Sequence, residues 1–224
     1  MDQVKNSGFK KDVEDDTEII PHTPEEDFVS LIYHSVDEAA DRELLLLQNR
    51  NNISPTCKRG CFECCGQYIL INRSEAHALG QFIRRRFSAD EKDRLRSRTR
   101  QWHIWNDNRT GKYPLSANPS ADSRNGRPFC PLLVDGSCSA YPIRPITCRT
   151  HFVCSSPSFC RFSNNHKTAN TEPLALTSVV AATKLFSQRL KDRISSNGTD
   201  FSLETMLLPH WLAIEMRWDF AISI

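Results

Sequence analysis

The chain has 224 residues, of which 39% are apolar and 25% charged, with a formal charge of +2. This is the composition of one ordinary globular domain, long enough to bury a core. No apolar run approaches the roughly 20 residues that span a bilayer, and the N-terminus, MDQVKNSGFKKDVEDDTEII, lacks the apolar h-region of a secretory signal, so the expected address is cytoplasmic and no membrane partner is expected.

Residues 1–23 read as an acidic, disordered tail. Positions 1–27 carry nine acids against three lysines, a local charge of −6 that leaves +8 on the rest of the chain. Such a segment favours solubility, and docking of the tail onto a basic site is the alternative. Residues 24–224 read as a single α-rich domain. Thr23 is placed to cap a helix, with Pro24 at its first position and Glu26 closing a capping box. Phe28, Leu31, Ile32 and Ser35 then space one face, Ala39, Leu44, Leu45 and Leu46 continue it, and Asn51, Asn52 and Pro55 end it. Beyond a first run of cysteines, Tyr68 to Ile71 is β-like. A second helix begins near Ser74, with Ala76, Leu79, Phe82 and Ile83 on one side.

A third helix opens with Ser88 as cap and acids in its first turn. Its arginines at 94, 96, 98 and 100 spread around the axis among Asp90, Glu91 and Asp93, which predicts a solvated helix and argues against a nucleic-acid partner. Residues 109–129, rich in Gly, Pro, Asn and Ser, read as an exposed loop, and residues 130–165 as irregular chain. Leu174 to Ile194 reads as helix. So does Leu203 to about Phe220, bent at Pro209. Trp102, Trp105, Trp211 and Trp218 read as core anchors. No Ser/His/Asp order or paired-carboxylate pattern stands out.

The cysteines carry the chemistry. The first group is Cys57-x3-Cys61-x2-Cys64-Cys65, within CKRGCFECC; the second is Cys130-x7-Cys138-x9-Cys148-x5-Cys154-x5-Cys160. A cytoplasmic address disfavours structural disulfides, and nine thiols cannot all pair internally. Two or three residues between thiols let both sulfurs reach one centre, and Gly60 eases the turn between the first pair. Sulfur-rich sites select zinc, Cu(I) or iron–sulfur clusters. A run of four cysteines beside Lys58, Arg59 and Glu63 is too polar to be core. Adjacent Cys64 and Cys65 diverge in an extended chain, so one can ligate while the other packs or serves a second site. If the loops 57–65 and 130–160 share a centre, a tie worth roughly 10–16 kcal/mol holds chain segments that have little regular structure. The spacing Cys57-x3-Cys61-x2-Cys64 also matches the radical S-adenosylmethionine pattern, but Glu63 stands where an aromatic precedes the last cysteine, and a helix precedes the motif where a barrel strand belongs.

CPLLVDGSCSAYPIRPITCRTH, residues 130–151, taken with CFECC, resembles the CxxCxxCC, or YkgJ-like, cysteine-cluster family, described as zinc- or iron-chelating. The matching positions are Cys61, Cys64, Cys65, Cys130, Pro131, Gly136, Cys138, Tyr141, Arg144, Pro145, Cys148 and Arg149, with Cys160 fitting the family's last cysteine better than Cys154. Cys57 departs from the family by one residue of spacing.

The resemblance covers residues 57–165. The helix signals that flank the two cysteine-rich irregular loops, with strand signals weak and short, predict a mostly α fold, the loops converging on a metal or iron–sulfur site. The expected ligands are Cys57, Cys61, Cys64, Cys65, Cys130, Cys138, Cys148 and Cys160, holding an iron–sulfur cluster (4Fe–4S) or Zn2+. Flagellin lysine methylases carry a similar cysteine domain. An S-adenosylmethionine-dependent protein methylase, with the cofactor near Arg144 or Arg149, is therefore one alternative, and a zinc-stapled interaction module is another. The partner, protein or small molecule, is not specified. Arg144 and Arg149 flank Cys148 and are suited to offset thiolate charge, through bonds to sulfur or to a carboxylate that holds a loop. Tyr141 reads as packing. His151 is near enough to substitute as a ligand, although a lone histidine more often sits at a polar surface.

Overall fold

The computed structural model describes residues 23–58, 60–110, 128–162, 173–196, 198 and 205–220. The expected acidic tail, apart from Thr23, most of the expected loop at 109–129, and Arg59 lie outside them. The described chain is mostly helical. Its long helices are α1 (Pro24–Asn51), α2 (Arg73–Arg86), α3 (Ala89–Thr110) and α6 (Thr177–Ser196), and the shorter ones are α4 (Ile146–Thr150), α5 (Ser158–Phe162) and α7 (Leu208–Glu215). Two small antiparallel pairs complete it, β1 (Leu70–Asn72) with β4 (Thr205–Leu207) and β2 (Leu133–Val134) with β3 (Ser137–Cys138). Among the described residues, no helix is long and apolar enough to cross a membrane.

Helix starts follow local chemistry. Thr23 Oγ1 accepts the Glu26 N–H at 3.2 Å and the Glu26 carboxylate accepts the Thr23 N–H at 2.8 Å. Ser88 and Glu91 form the same reciprocal pair ahead of α3. The second helix begins one residue before the expected Ser74, because Asn72 caps it and Glu75 returns the bond. Asn52 ends α1 in the left-handed conformation, φ 53°, which asparagine tolerates.

The buried stripe of α1 differs from the expected one. Val29, Ile32, Tyr33, Val36, Ala39 and Ala40 face inward, while Leu31 is 62% and Leu45 60% exposed. The inward residues hold an unbroken spacing of three and four, and the alanines let the first turns of α6 approach, where Leu176 and Val179 pack on Ala40. Farther along, Val29 and Tyr33 meet Leu190, so α1 and α6 run antiparallel. On α2, Ala76, Leu79 and Ile83 join Leu95 of α3 and Leu208, Trp211 and Leu212 of α7 in the largest apolar cluster. Leu95, Thr99, Trp102, His103 and Asn106 form the buried face of α3, and the arginines at 94, 96 and 100 are exposed.

The C-terminal region departs from expectation. The stretch read as one bent helix is the strand β4 followed by α7. Pro209 sits in the first turn of α7, where its missing N–H costs nothing and its fixed φ starts the helix. β4 pairs Leu207 with Leu70 and Met206 with Ile71, and Trp211 Nε1–H donates to the Ile71 carbonyl at 3.0 Å.

Candidate functional site

The first cysteine segment has no long periodic element. It turns at Gly60, φ 88°, and the Cys61 N–H closes that turn on the Lys58 carbonyl at 2.9 Å. Glu63–Gly66 then forms a single 3-10 turn. This turn corrects the expectation for the adjacent pair: Cys64 and Cys65 do not diverge, because the chain is not extended there. The Cys65 thiol hydrogen-bonds the Cys64 sulfur, which lowers the Cys64 pKa to about 7 and holds Cys65 far above the ordinary thiol range.

The second segment is more regular than expected. β2 and β3 form a hairpin closed by Asp135 and Gly136, both at positive φ (49° and 74°), as a two-residue type I′ turn requires. The Asp-Gly dipeptide between VDGS apolar and polar neighbours is the sequence signal for that hairpin. It sets Cys138 opposite Leu133. Cys130 is tied across to the first segment, its N–H donating to the Cys65 carbonyl at 2.8 Å. Pro145 precedes α4, which carries Cys148.

These two segments line one cavity of about 330 Å3. From the first come Cys57, Cys61, Cys64 and Cys65; from the second come Cys130, Cys138 and Cys148. Phe62, Tyr68, Ile69, Leu132, Leu133 and Phe152 supply apolar wall, Leu208 of α7 closes it, and Lys58, Arg144 and His151 bring polar groups. None of the nine cysteines is joined in a disulfide. Burial raises the pKa of Cys130 to about 12 and that of Cys148 well above the ordinary thiol value. Burial also raises Cys57 and Cys138, the latter opposed by a backbone bond at Ala140 and by Arg144.

Cys160 is buried at 3% exposure on α5, which packs against the 3-10 turn of the first segment. It is not among the residues lining the cavity. Cys154 turns away: its thiol donates to the Leu174 carbonyl at 3.5 Å, and it packs beside Leu176 and Val179. Among the described residues, no three His, Cys, Asp or Glu side chains gather into a group that could hold one metal ion. The thiols ring a space; they do not converge on a point.

The two arginines differ. Arg144 lines the cavity, stacks 4.0 Å over the Tyr141 ring and lies 3.8 Å from Asp37. Arg149 does not line it. Its guanidinium, 3% exposed, donates to the Arg144 carbonyl at 2.7 Å, to the Pro142 carbonyl and to Asp37, and it lies 4.2 Å over the Tyr33 ring. Of the two roles expected for it, the bond to a carboxylate that holds a loop is the one present.

Glu75 and Asp37 hold the chain beside the cavity in ways that the pattern of residues did not reveal. Glu75 is buried on α2 and accepts four bonds. They come from the Asn72 N–H and side-chain amide, from Tyr33 Oη–H at 3.2 Å, and from the Ile146 N–H at 2.9 Å, which starts α4. Its capping role was readable from Asn72 three residues earlier. Its reach to α4, 71 residues away, was not, nor was the choice of Asp37 among the acids of α1. His151 Nε2 is buried without a hydrogen-bond partner among the described residues, and burial lowers the pKa of the ring.

No protein-family model matches this chain, and no curated protein or solved structure matches it. The resemblance to the cysteine-cluster family therefore rests on the motif residues themselves.

Proposed function

We propose that this protein binds an iron–sulfur cluster through the cysteines of its two loops. The single observation that carries the reading is that seven thiols from segments about 65 residues apart line one cavity. A partly open, largely apolar space with that donor set suits soft metal chemistry, since thiolate selects Zn, Cu(I) and iron–sulfur centres. Calcium and magnesium would need carboxylates.

The residues fit a cluster better than one ion. Four sulfurs about 2.3 Å from a single zinc stand about 3.8 Å from one another, and no such close group occurs among the described residues. Thiols spread around a cavity suit a larger inorganic core. Cys57, Cys61, Cys64, Cys65, Cys130, Cys138 and Cys148 are the candidate ligands, with Cys160 behind the first segment. When bound, such a cluster supplies electron transfer or Lewis-acid chemistry at an iron. Around it, the chain's own groups have separable tasks. Arg144 presents positive charge to the thiolates, Arg149 and Glu75 fix α4, which carries Cys148, and Leu208 and Phe152 line the space with apolar surface. Apolar walls and hydrogen bonding near the sulfurs set a cluster's potential.

The test is anaerobic purification, followed by iron, acid-labile sulfide and zinc analysis and an absorption spectrum. The reading expects iron and sulfide in equal amounts and broad visible absorption. Colourless protein with stoichiometric zinc would replace it with the zinc-stapled module. Absence of any bound metal after reconstitution with ferrous iron and sulfide would end it.

A further inference from the structure

We propose that the cavity is also a binding site for a small organic carboxylate, an apolar body bearing one anionic group, anchored along α4 by Arg144 and His151. This goes beyond the iron–sulfur reading and does not depend on which metal the thiols hold.

The lining divides by chemistry. Phe62, Tyr68, Ile69, Leu132, Leu133 and Leu208 give it apolar and aromatic wall. A different wall comes from α4 and its two ends. Arg144, Thr147, Cys148 and His151 keep the three-and-four spacing of one helical face, and all four line the space. Of these, only Cys148 is a candidate metal ligand, so the other three polar side chains are left for a different partner. A cavity of about 330 Å3 with mostly apolar walls and a few polar groups is the usual form of a small-molecule site.

Charge selects the class of ligand. Lys58 and Arg144 bring positive charge to the lining, and among the described residues no carboxylate lines it. Lys58, Ser137, Tyr141 and Thr147 are exposed, which marks the open side, so an entering molecule meets a cation first. Arg144 keeps donors to offer. One N–H goes to the Tyr141 carbonyl at 3.3 Å, and its tie to Asp37 is long, 3.8 Å, with Arg149 also bonded to that carboxylate. A guanidinium has five N–H groups in a planar fork that matches a carboxylate, and stacking 4.0 Å from the Tyr141 ring orients that plane. Arg149, in contrast, uses its fork on Asp37 and two carbonyls. His151 supplies the second anchor. Its Nε2 is buried with no hydrogen-bond partner among the described residues, an unfavourable state for a buried polar atom. A ligand oxygen that accepts from Nε2–H relieves it.

The experiment is saturation-transfer NMR and calorimetry on the full chain, purified anaerobically with the metal it carries. The probes are benzoate and 4-hydroxybenzoate, and the neutral comparators are the corresponding amides. At least one acid should bind with a Kd below millimolar, and its amide at least about tenfold more weakly, the gap expected when a charged hydrogen-bonded contact is lost. Arg144→Gln and His151→Phe should each weaken that acid several-fold or more while circular dichroism shows the helices intact. Arg144→Lys, which keeps the charge and loses the fork, should recover only part of the affinity, and it and His151→Gln serve where the first variants do not fold. Absence of binding by both acids, amides that bind as tightly as the acids, or folded variants at both positions with unchanged affinity would each overturn the proposal. Iron and sulfide analysis of the same sample separates the two readings. Carboxylate bound without iron removes the cluster and leaves this site, and iron without carboxylate binding does the reverse.

Discussion

Where α1 crosses α6, order comes from apolar side chains and from capped ends. Val29, Tyr33 and Leu190 meet at one level, Ala40, Leu176 and Val179 at another, and Thr23 and Glu26 close the first turn. Where the segments 57–65 and 130–160 meet, the elements are two to five residues long and their sulfurs face a cavity. Charged clamps take over part of the task there: Arg149 gathers two carbonyls and Asp37, and Glu75 holds the start of α4. The first region has what it needs to fold by burial. In the second, Leu132 and Ala140 reach the main apolar cluster, but the elements are short, and further stabilisation comes from fixed hydrogen bonds and, on the present reading, from the bound cluster. On this reading, the helices would fold without the centre and the loops would depend on it.

The largest test of that contrast is removal of metal. A chelator applied to the loaded protein should release most of the roughly 10–16 kcal/mol that a thiolate site lends to its fold. Hydrogen exchange should then accelerate by orders of magnitude over 57–65 and 130–160 and change little in the buried turns of α1, α2 and α6. Uniform acceleration, or none, would break the comparison.

A core truncation should act in the opposite sense. Leu79→Ala, at a fully buried site in the main cluster, should cost about 2–5 kcal/mol in denaturant unfolding and leave metal content per folded molecule unchanged. Arg149→Lys keeps the charge but loses the fork that reaches three partners. It should cost about 2 kcal/mol and lower metal retention as the Cys148 loop loosens, both read in one titration with and without metal.

Acid should loosen the helical side at a recognisable place. His210 and His103 meet edge-to-face with ring centres 4.7 Å apart, beside Trp102. Burial, then the neighbouring His103, lowers the His210 pKa to about 3; burial also lowers that of His103, against a backbone bond at Pro209 and the charge of Asp107. A histidine with a depressed native pKa stays neutral when folded and takes up its proton on unfolding. Its contribution is therefore complete above its unfolded value, about 6.5, and is lost as pH falls toward the native one. Stability should drop between those limits, by up to about 1.4 kcal/mol per pH unit for each such ring, and His210→Gln should flatten the slope. The smallest effect expected is that of Thr23→Ala, about 1 kcal/mol for the lost cap, with no effect on metal.

Legibility divides along the same line. The caps at Thr23 and Ser88 were readable because a short polar side chain followed by Glu at the third position satisfies the same orphan N–H groups in any context. The buried stripe of α1 was misplaced because leucine alone does not fix a face; Ala39 and Ala40 define where α6 can approach. β4 was read as helix because Leu203 to Phe220 offers apolar spacing of either period, and only pairing with β1 selects the strand. At the cavity, the cysteine spacing pointed to seven residues that line it and to Cys160, which does not. The hairpin was available from Asp135-Gly136, whereas the bonds from Glu75 to α4 and from Arg149 to Asp37 depend on tertiary approach, which no local pattern encodes.

The most direct test of the central claim is X-ray absorption at the edge of the metal that purifies with the full chain under anaerobic conditions. Sulfur neighbours at about 2.3 Å, the distance of metal–thiolate bonds, together with a metal–metal scattering shell, are the predicted result. A metal coordinated only by nitrogen and oxygen, or nine thiols that remain titratable by a thiol reagent with metal fully bound, would contradict it.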